Sequence, residues 1–314
     1  MARATHTLFF EKGNPSFEDC DAAVLGVAFG KNASYGSGME DAPEEIFAAS
    51  LNIEPEQPMT GRTIWPAIHN MGIIMPKTGA DMASRTEAIA KKALGAGKFF
   101  ALLGGDHSVV NGLLGALPKG VFFVNFDAHL DLRDSFNPGG KLSHACVSRR
   151  IAEHGFEQAW VGVRDQVGEE ELGFVAEKSL AERIFYCKTQ PGDFYERNGF
   201  PAWMKKENMV AGGKLGEPQA AKLLRQCGGG VWLNIDLDCL DSREFPCTGS
   251  PLPFGLRLEA LNELLFKIIS KKNVIGFSLA EFVPDKKNPG CAITAAMVCY
   301  NIISWKFDFG KRGA

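Results

Sequence analysis

Asp127, His129 and Asp131 stand at every second position after the apolar run 120–126, and Asp236 and Asp238 repeat that spacing after the run 230–235. His107 follows a third apolar run, in GGDHS (104–108). Alternate side chains of an extended chain share one face, so a strand-like path through 127–131 would turn three donors to the same side. Gathered at a buried edge, four carboxylates would repel one another and lose hydration, so they need cations. Two divalent ions supply four positive charges, and bridging aspartates would hold them about 3.5–4 Å apart, the spacing of two-metal hydrolases. A shell of oxygen and imidazole without thiolate favours Mn²⁺ over Ca²⁺ or a structural zinc. Singly, GGDHS reads as a turn and helix cap, DLD as capping chemistry and any one histidine as structural. Together, behind buried strands, they argue for a metal site.

Such residues need a common edge. Short β-branched or aromatic runs at 22–29, 98–105, 120–127, 159–165, 183–187, 230–238 and 273–282 alternate with amphipathic stretches at 84–97, 217–229 and 258–272, and a last helix begins near Ala292. Several runs are continuously hydrophobic, as strands covered on both faces should be. The alternation predicts an α/β fold, a three-layer αβα sandwich with a mainly parallel sheet, whose functional groups collect at the carboxyl ends of the strands. With no repeat, low-complexity tract or shift in composition, residues 1–314 read as a single domain.

Composition narrows the partners. The chain has 314 residues, 45% hydrophobic and 23% charged, with a formal net charge of -3, which offers no general attraction to nucleic acid or anionic membrane. No apolar run has membrane-spanning length and no N-terminal stretch reads as a signal, so the expected location is cytoplasmic. The eight cysteines are scattered without a C-x-x-C pair, and buried free thiols are expected. His6, His69 and His154 lack a chemical context and read as structural.

GGDHS, DAHLD and NIDLDCLDSREFPCTGSP (234–251) look like the signature segments of the ureohydrolases, the family of arginase and agmatinase, and the resemblance runs from YGSGMEDAPEEI (35–46) to LAEF (279–282). It implies two Mn²⁺ per chain, one held by His107, Asp127, Asp131 and Asp236, the other by Asp127, His129, Asp236 and Asp238. It also implies that a hydroxide shared by the ions attacks a guanidinium carbon, yielding urea and an amine. Glu281 aligns with the acidic residue that orients the guanidinium, and a carboxylate matches that planar fork. His144 aligns with the histidine that shuttles a proton to the leaving amine. Family members are commonly trimers or hexamers, so a homo-oligomer is implied. Two other classes remain: a single-zinc deacetylase of similar architecture, in which His107 and Asp131 would be superfluous, and an inactive metal-binding scaffold.

The substrate is less legible. Arg133 occupies the position of an Asn that arginases use to bind the amino-acid end of arginine, which argues against arginine. The DLRD and SHACVSRR segments are similar to microbial agmatinases, so agmatine, cleaved to putrescine and urea, is the leading substrate. A cationic tail requires Arg133 to be neutralised, with Asp134 the expected partner, or to point away. An unpaired Arg133 would favour 4-guanidinobutyrate, and N1-aminopropylagmatine is a longer possibility. Ala145, Ser242, Cys247 and Phe254 depart from the family's pattern without removing a metal ligand.

Overall fold

The computed structural model describes residues 7–9, 13–190 and 194–310. Among these the strands are β1 (Ala22–Val27), β2 (Glu56–Gln57), β3 (Arg62–Thr63), β4 (Ile68–Ile74), β5 (Phe99–Gly104), β6 (Phe122–Phe126), β7 (Glu157–Val163), β8 (Ile184–Tyr186), β9 (Gly230–Asp236) and β10 (Asn273–Ala280). Eight of them form one sheet in the order β4-β1-β5-β10-β9-β6-β7-β8, with parallel pairing throughout. β2 and β3 make a separate antiparallel pair. β4 was not expected, because its buried positions alternate with half-buried ones, including His69 and Met71, as at a sheet margin rather than in a doubly covered strand.

The helices are α1 (Ala42–Ser50), α2 (Gly79–Gly95), α3 (Val147–Glu153), α4 (Glu169–Glu177), α5 (Phe194–Asn198), α6 (Glu217–Gln226), α7 (Leu258–Lys271) and α8 (Gly290–Gly310). The three layers follow from strand alternation. Val24, Ala101, Leu103 and Val124 share one core with residues of α1, α6, α7 and α8. Their chain neighbours Ala23, Leu25, Leu102 and Phe123 face the other way, into a second core with α2 and α3. Local chemistry sets helix ends: the Thr78 hydroxyl accepts the Asp81 N–H at the start of α2, satisfying a donor the first turn cannot pair. No helix among the described residues is long and apolar enough to cross a membrane.

All eight cysteines are buried free thiols, as expected. His69 and His154 are held through Nδ1 against the carbonyls of Pro15 and Arg150, whereas His6 lies outside the described residues. The sheet order makes β5, β10, β9 and β6 consecutive neighbours, and the four chemistry-bearing segments leave their carboxyl ends.

Candidate metal centre

Two strands end in the same local device. β6 stops at Phe126, and Asp127 Oδ1 accepts the N–H of His129 at 2.7 Å. β9 stops at Asp236, whose Oδ1 accepts the N–H of Asp238 at 2.8 Å. An aspartate that bonds the backbone two residues on folds the chain into a turn, so the donors converge through loops. The strand-like path expected for 127–131 is therefore corrected. Asp131 sits in the left-handed region, φ 52°, which turns its carboxylate back toward His107.

The six residues meet beneath the sheet edge. His107 Nδ1 lies 3.0 Å from Asp131 Oδ2 and 3.4 Å from both Asp127 Oδ2 and Asp236 Oδ2. His129 Nδ1 lies 3.0 Å from Asp238 Oδ2 and 3.5 Å from Asp127 Oδ1. The donor atoms form two triads of metal-binding dimensions, His107–Asp127–Asp236 and Asp127–His129–Asp238, which share Asp127. Asp131 joins the first through His107. Asp127 Oδ2 is buried and accepts no hydrogen bond, which is costly for a carboxylate oxygen unless a cation meets it. Oxygen and imidazole donors, an orphaned buried oxygen and a shared carboxylate all fit a pair of Mn²⁺ ions.

The electrostatics agree. Burial, with Asp238 nearby, pushes the Asp127 carboxyl up. Burial followed by Asp238 and Asp127 puts Asp236 well above the usual carboxylate range, and burial with Asp127 raises Asp131 to about 7. Burial alone would lower His107, but the hydrogen bond to Asp131 and the charges of Asp127 and Asp131 raise it to about 9. Burial and mutual repulsion thus disfavour the charged forms of Asp127, Asp131 and Asp236, a cost that bound cations would offset.

Glu281 and His144 stand beside the triads. Glu281 has φ 64°, its N–H bonds the Gly105 carbonyl, and its Oε1 accepts the His107 N–H at 2.7 Å. Burial and then the Asp106 charge push its carboxyl well up, a state that a cationic guanidinium would reverse. His144 Nδ1 lies 3.7 Å from Glu281 Oε1. Its Nε2 accepts the Ser34 N–H at 3.1 Å and lies 3.0 Å from Ser34 Oγ. Burial, reinforced by His107 and His129, lowers His144 to about 4, so the ring is neutral at pH 7. Both non-glycine residues with positive φ at the site, Asp131 and Glu281, aim a carboxylate at the same cluster, as strained backbone at functional positions often does.

Several supporting residues were not anticipated. Asp106 Oδ2 accepts the Asn32 N–H, and the Asn32 side chain donates to the Leu142 carbonyl at 2.8 Å, tying the loop of Ser34 to the segment before His144. Asp165 Oδ2 lies 3.2 Å from His129 Nε2, the carboxylate partner that orients a ligating imidazole. Its only sequence signal is a charged residue just beyond β7.

At the mouth, a cavity lined by Ser34, Phe136, Gln166 and Ser250 also holds Arg133 and Asp165. The pairing expected between Arg133 and Asp134 is not formed. Asp134 bonds Arg150 at 2.8 Å and lies 3.4 Å from Lys141, while Arg133 stacks on Phe136 and lies 3.8 Å from Glu171. Glu171 is the better neutraliser because the Leu132 and Gly168 N–H groups already fix its two oxygens beside the guanidinium. Among the departures, Ala145 accepts the Arg133 N–H through its carbonyl, Cys247 is buried and accepts the Val283 N–H, and Phe254 is half exposed at φ 64°. Ser242 donates its N–H to Leu252.

Comparison with known proteins gives a consistent result. The arginase family model matches residues 20–304. The N(1)-aminopropylagmatine ureohydrolase of Thermococcus kodakarensis is 32% identical over 302 residues, covering 92% of this chain and 91% of that protein. The agmatinase of Pyrococcus horikoshii is 30% identical over 299 residues, covering 91% and 92%. The crystal structure of the agmatine ureohydrolase of Thermoplasma volcanium superposes with a TM-score of 0.76 at 24% identity, covering 96% of this chain and 94% of that one.

Proposed function

The chain belongs to the arginase family, and from that premise we propose that it hydrolyses agmatine to putrescine and urea at a binuclear manganese centre. Family membership makes it a hydrolase of guanidino compounds and leaves no place for the single-zinc deacetylase. The proposed ligands are His107, Asp127, Asp131 and Asp236 for one ion and Asp127, His129, Asp236 and Asp238 for the other, with two ions per chain. When bound, the ions would lower the pKa of a water and supply a nucleophile near neutral pH.

The chain's own groups do the rest. Glu281, buried with one oxygen fixed by the His107 N–H, receives the guanidinium and restores its own charge by doing so. Gly249 packs closely beside it, since a Cβ there would meet Met39 Cε at 2.4 Å and Glu281 Oε2 at 3.1 Å. His144 is neutral, and because Nε2 accepts the Ser34 N–H, its proton sits on Nδ1, facing Glu281. That proton passes to the leaving amine as Nε2 takes one from the Ser34 hydroxyl at 3.0 Å, which is exposed and regains its own from water, so the ring stays neutral.

The observation that carries the choice of substrate is the capture of Arg133 by Glu171 and Phe136. Arg133 is the one Lys or Arg among the described residues lining the mouth, and once it is neutralised Asp165 leaves the entrance negative. A cationic tail is attracted there, and an anionic one is not. Release of urea from agmatine, N1-aminopropylagmatine, arginine and 4-guanidinobutyrate after manganese loading tests the reading. Agmatine is expected to lead, and far better turnover of arginine or guanidinobutyrate overturns it. N1-aminopropylagmatine is the second reading, favoured by the name of the 32% identical relative, and its tail carries further positive charge toward Asp165. The proposal places a single-domain enzyme in the cytoplasm, as a homo-oligomeric trimer or hexamer, without nucleic-acid or membrane partners.

A further inference from the structure

Asn234 and Asn125 face each other on the paired strands β9 and β6, each two residues before an aspartate of the metal cluster. Asn234 Oδ1 lies 3.2 Å from His107 Nε2, the ring nitrogen turned away from the carboxylates. It also accepts the Ser278 hydroxyl at 2.7 Å. Asn234 Nδ2 donates to Asn125 Oδ1 at 2.9 Å, and Asn125 Nδ2 donates to Gln158 Oε1 at 2.9 Å. Gln158 Nε2 donates in turn to the Ser148 carbonyl in α3 at 2.7 Å. All three amides are buried, so water is not available to repair a mismatched pair.

The chain of bonds can run in one direction only. A side-chain amide can be turned end for end, but a backbone carbonyl cannot become a donor. The Ser148 carbonyl therefore requires the NH₂ of Gln158, which presents the Gln158 oxygen to Asn125. Asn125 must answer with its NH₂ and present its oxygen to Asn234. Asn234 must do the same, which leaves its oxygen for His107 Nε2. Reversing any link sets two acceptors or two donors against each other without solvent, a loss of about 1–3 kcal/mol per unmatched group. His107 Nε2 thus carries a hydrogen, and the lone pair of the neutral ring falls on Nδ1, within 3.0–3.4 Å of Asp131, Asp127 and Asp236.

We propose that Gln158, Asn125 and Asn234 are positioning residues that transmit the polarity of the Ser148 carbonyl across three strands and hold His107 with Nδ1 ready to ligate. An apolar trio of the same shape would fill this volume but leave His107 Nε2 and the Ser278 hydroxyl without their acceptor. What the amides add is direction, and an ordering partner on a ligating imidazole is commonly worth 10–100-fold in metal affinity. The proposal rests on the metal reading of the site and is independent of the substrate.

Manganese titration calorimetry on the parent, Asn234→Leu and Gln158→Met, with chelator-treated melting curves for each, tests it. The parent binds two ions. Asn234→Leu is expected to weaken one of them by about 10–100-fold while the other keeps its affinity, and Gln158→Met, which touches no proposed ligand, weakens the same ion to a smaller degree. If Asn234→Leu does not fold, Gln158→Met decides alone. Parent affinity at both ions in the folded variants, or equal weakening of both ions, overturns the relay. A parent that binds no manganese overturns the metal reading and the relay with it.

Discussion

Asp127 is the residue common to both donor triads, so its replacement by Asn should abolish the response to manganese, whereas Asp131→Asn should halve it. A ligand that binds only the folded state stabilises it by about 4.1 kcal/mol at a thousandfold excess over its dissociation constant. With an unfolding entropy of about 2.1 cal/mol/K per residue, the 314 residues convert that to ~6 °C for each ion. Differential scanning calorimetry of chelated and manganese-loaded protein should therefore show a rise of about 12 °C for the parent, about 6 °C for Asp131→Asn and close to none for Asp127→Asn. The chelated proteins should rank differently. Burial and the Asp238 charge disfavour the Asp127 carboxylate, so metal-free Asp127→Asn melts at or above the metal-free parent. Retention of the full manganese shift by Asp127→Asn would refute the assignment of a shared carboxylate.

Glu281→Gln keeps the manganese-dependent rise in melting temperature but loses kcat by about 10²–10³, the scale for one preorganised electrostatic contact; unchanged urea release would remove Glu281 from the chemistry. His144→Asn lowers kcat by about 10²–10⁴ with both ions still bound in calorimetry. The same variant alters acid stability in metal-free protein. His144 is depressed to about 4, so between its unfolded value near 6.5 and 4 the unfolded chain holds a proton that the folded chain refuses. Stability therefore falls as pH drops through that window, and urea melts of His144→Asn should lack this component. Asp165→Asn raises the KM for agmatine about tenfold, the equivalent of ~1.4 kcal/mol for one charge-assisted contact, and the KM for guanidinobutyrate not at all; equal rises for both would mean that Asp165 acts only through His129.

What could be seen in the sequence was whatever one strand announces about itself. Continuous apolar runs marked β1, β5, β6, β9 and β10, and the polar residues at their ends marked the ligands. The manner of convergence was hidden, because Asp127 and Asp236 close local turns on their own backbone rather than extend the strands. β4 escaped because half its side chains are only partly covered. The partner of Arg133 was misjudged for a different reason: Asp134 is adjacent in the chain, but Glu171 arrives from α4 with both oxygens already ordered. Asp165 meets His129 in the loops beyond the neighbouring strands β7 and β6, and the amide relay runs through contacts between strands, such as Asn125 against Asn234, 109 residues apart. Such pairs become visible only once the strand order is known, although the N-x-D spacing shared by 125–127 and 234–236 hints at it.

The sheet order also dictates when the centre can exist during synthesis. β9 and β10 insert between β5 and β6, so a chain emerging from its N-terminus must leave a gap two strands wide until residues beyond 280 are available. Until then His107 and Asp127 sit on opposite banks of an open seam whose unpaired strand edges invite association with other chains. A nascent or truncated chain ending before β9 therefore has the first ligands of both triads and no means of bringing them together, and manganese capture marks the closing of the seam.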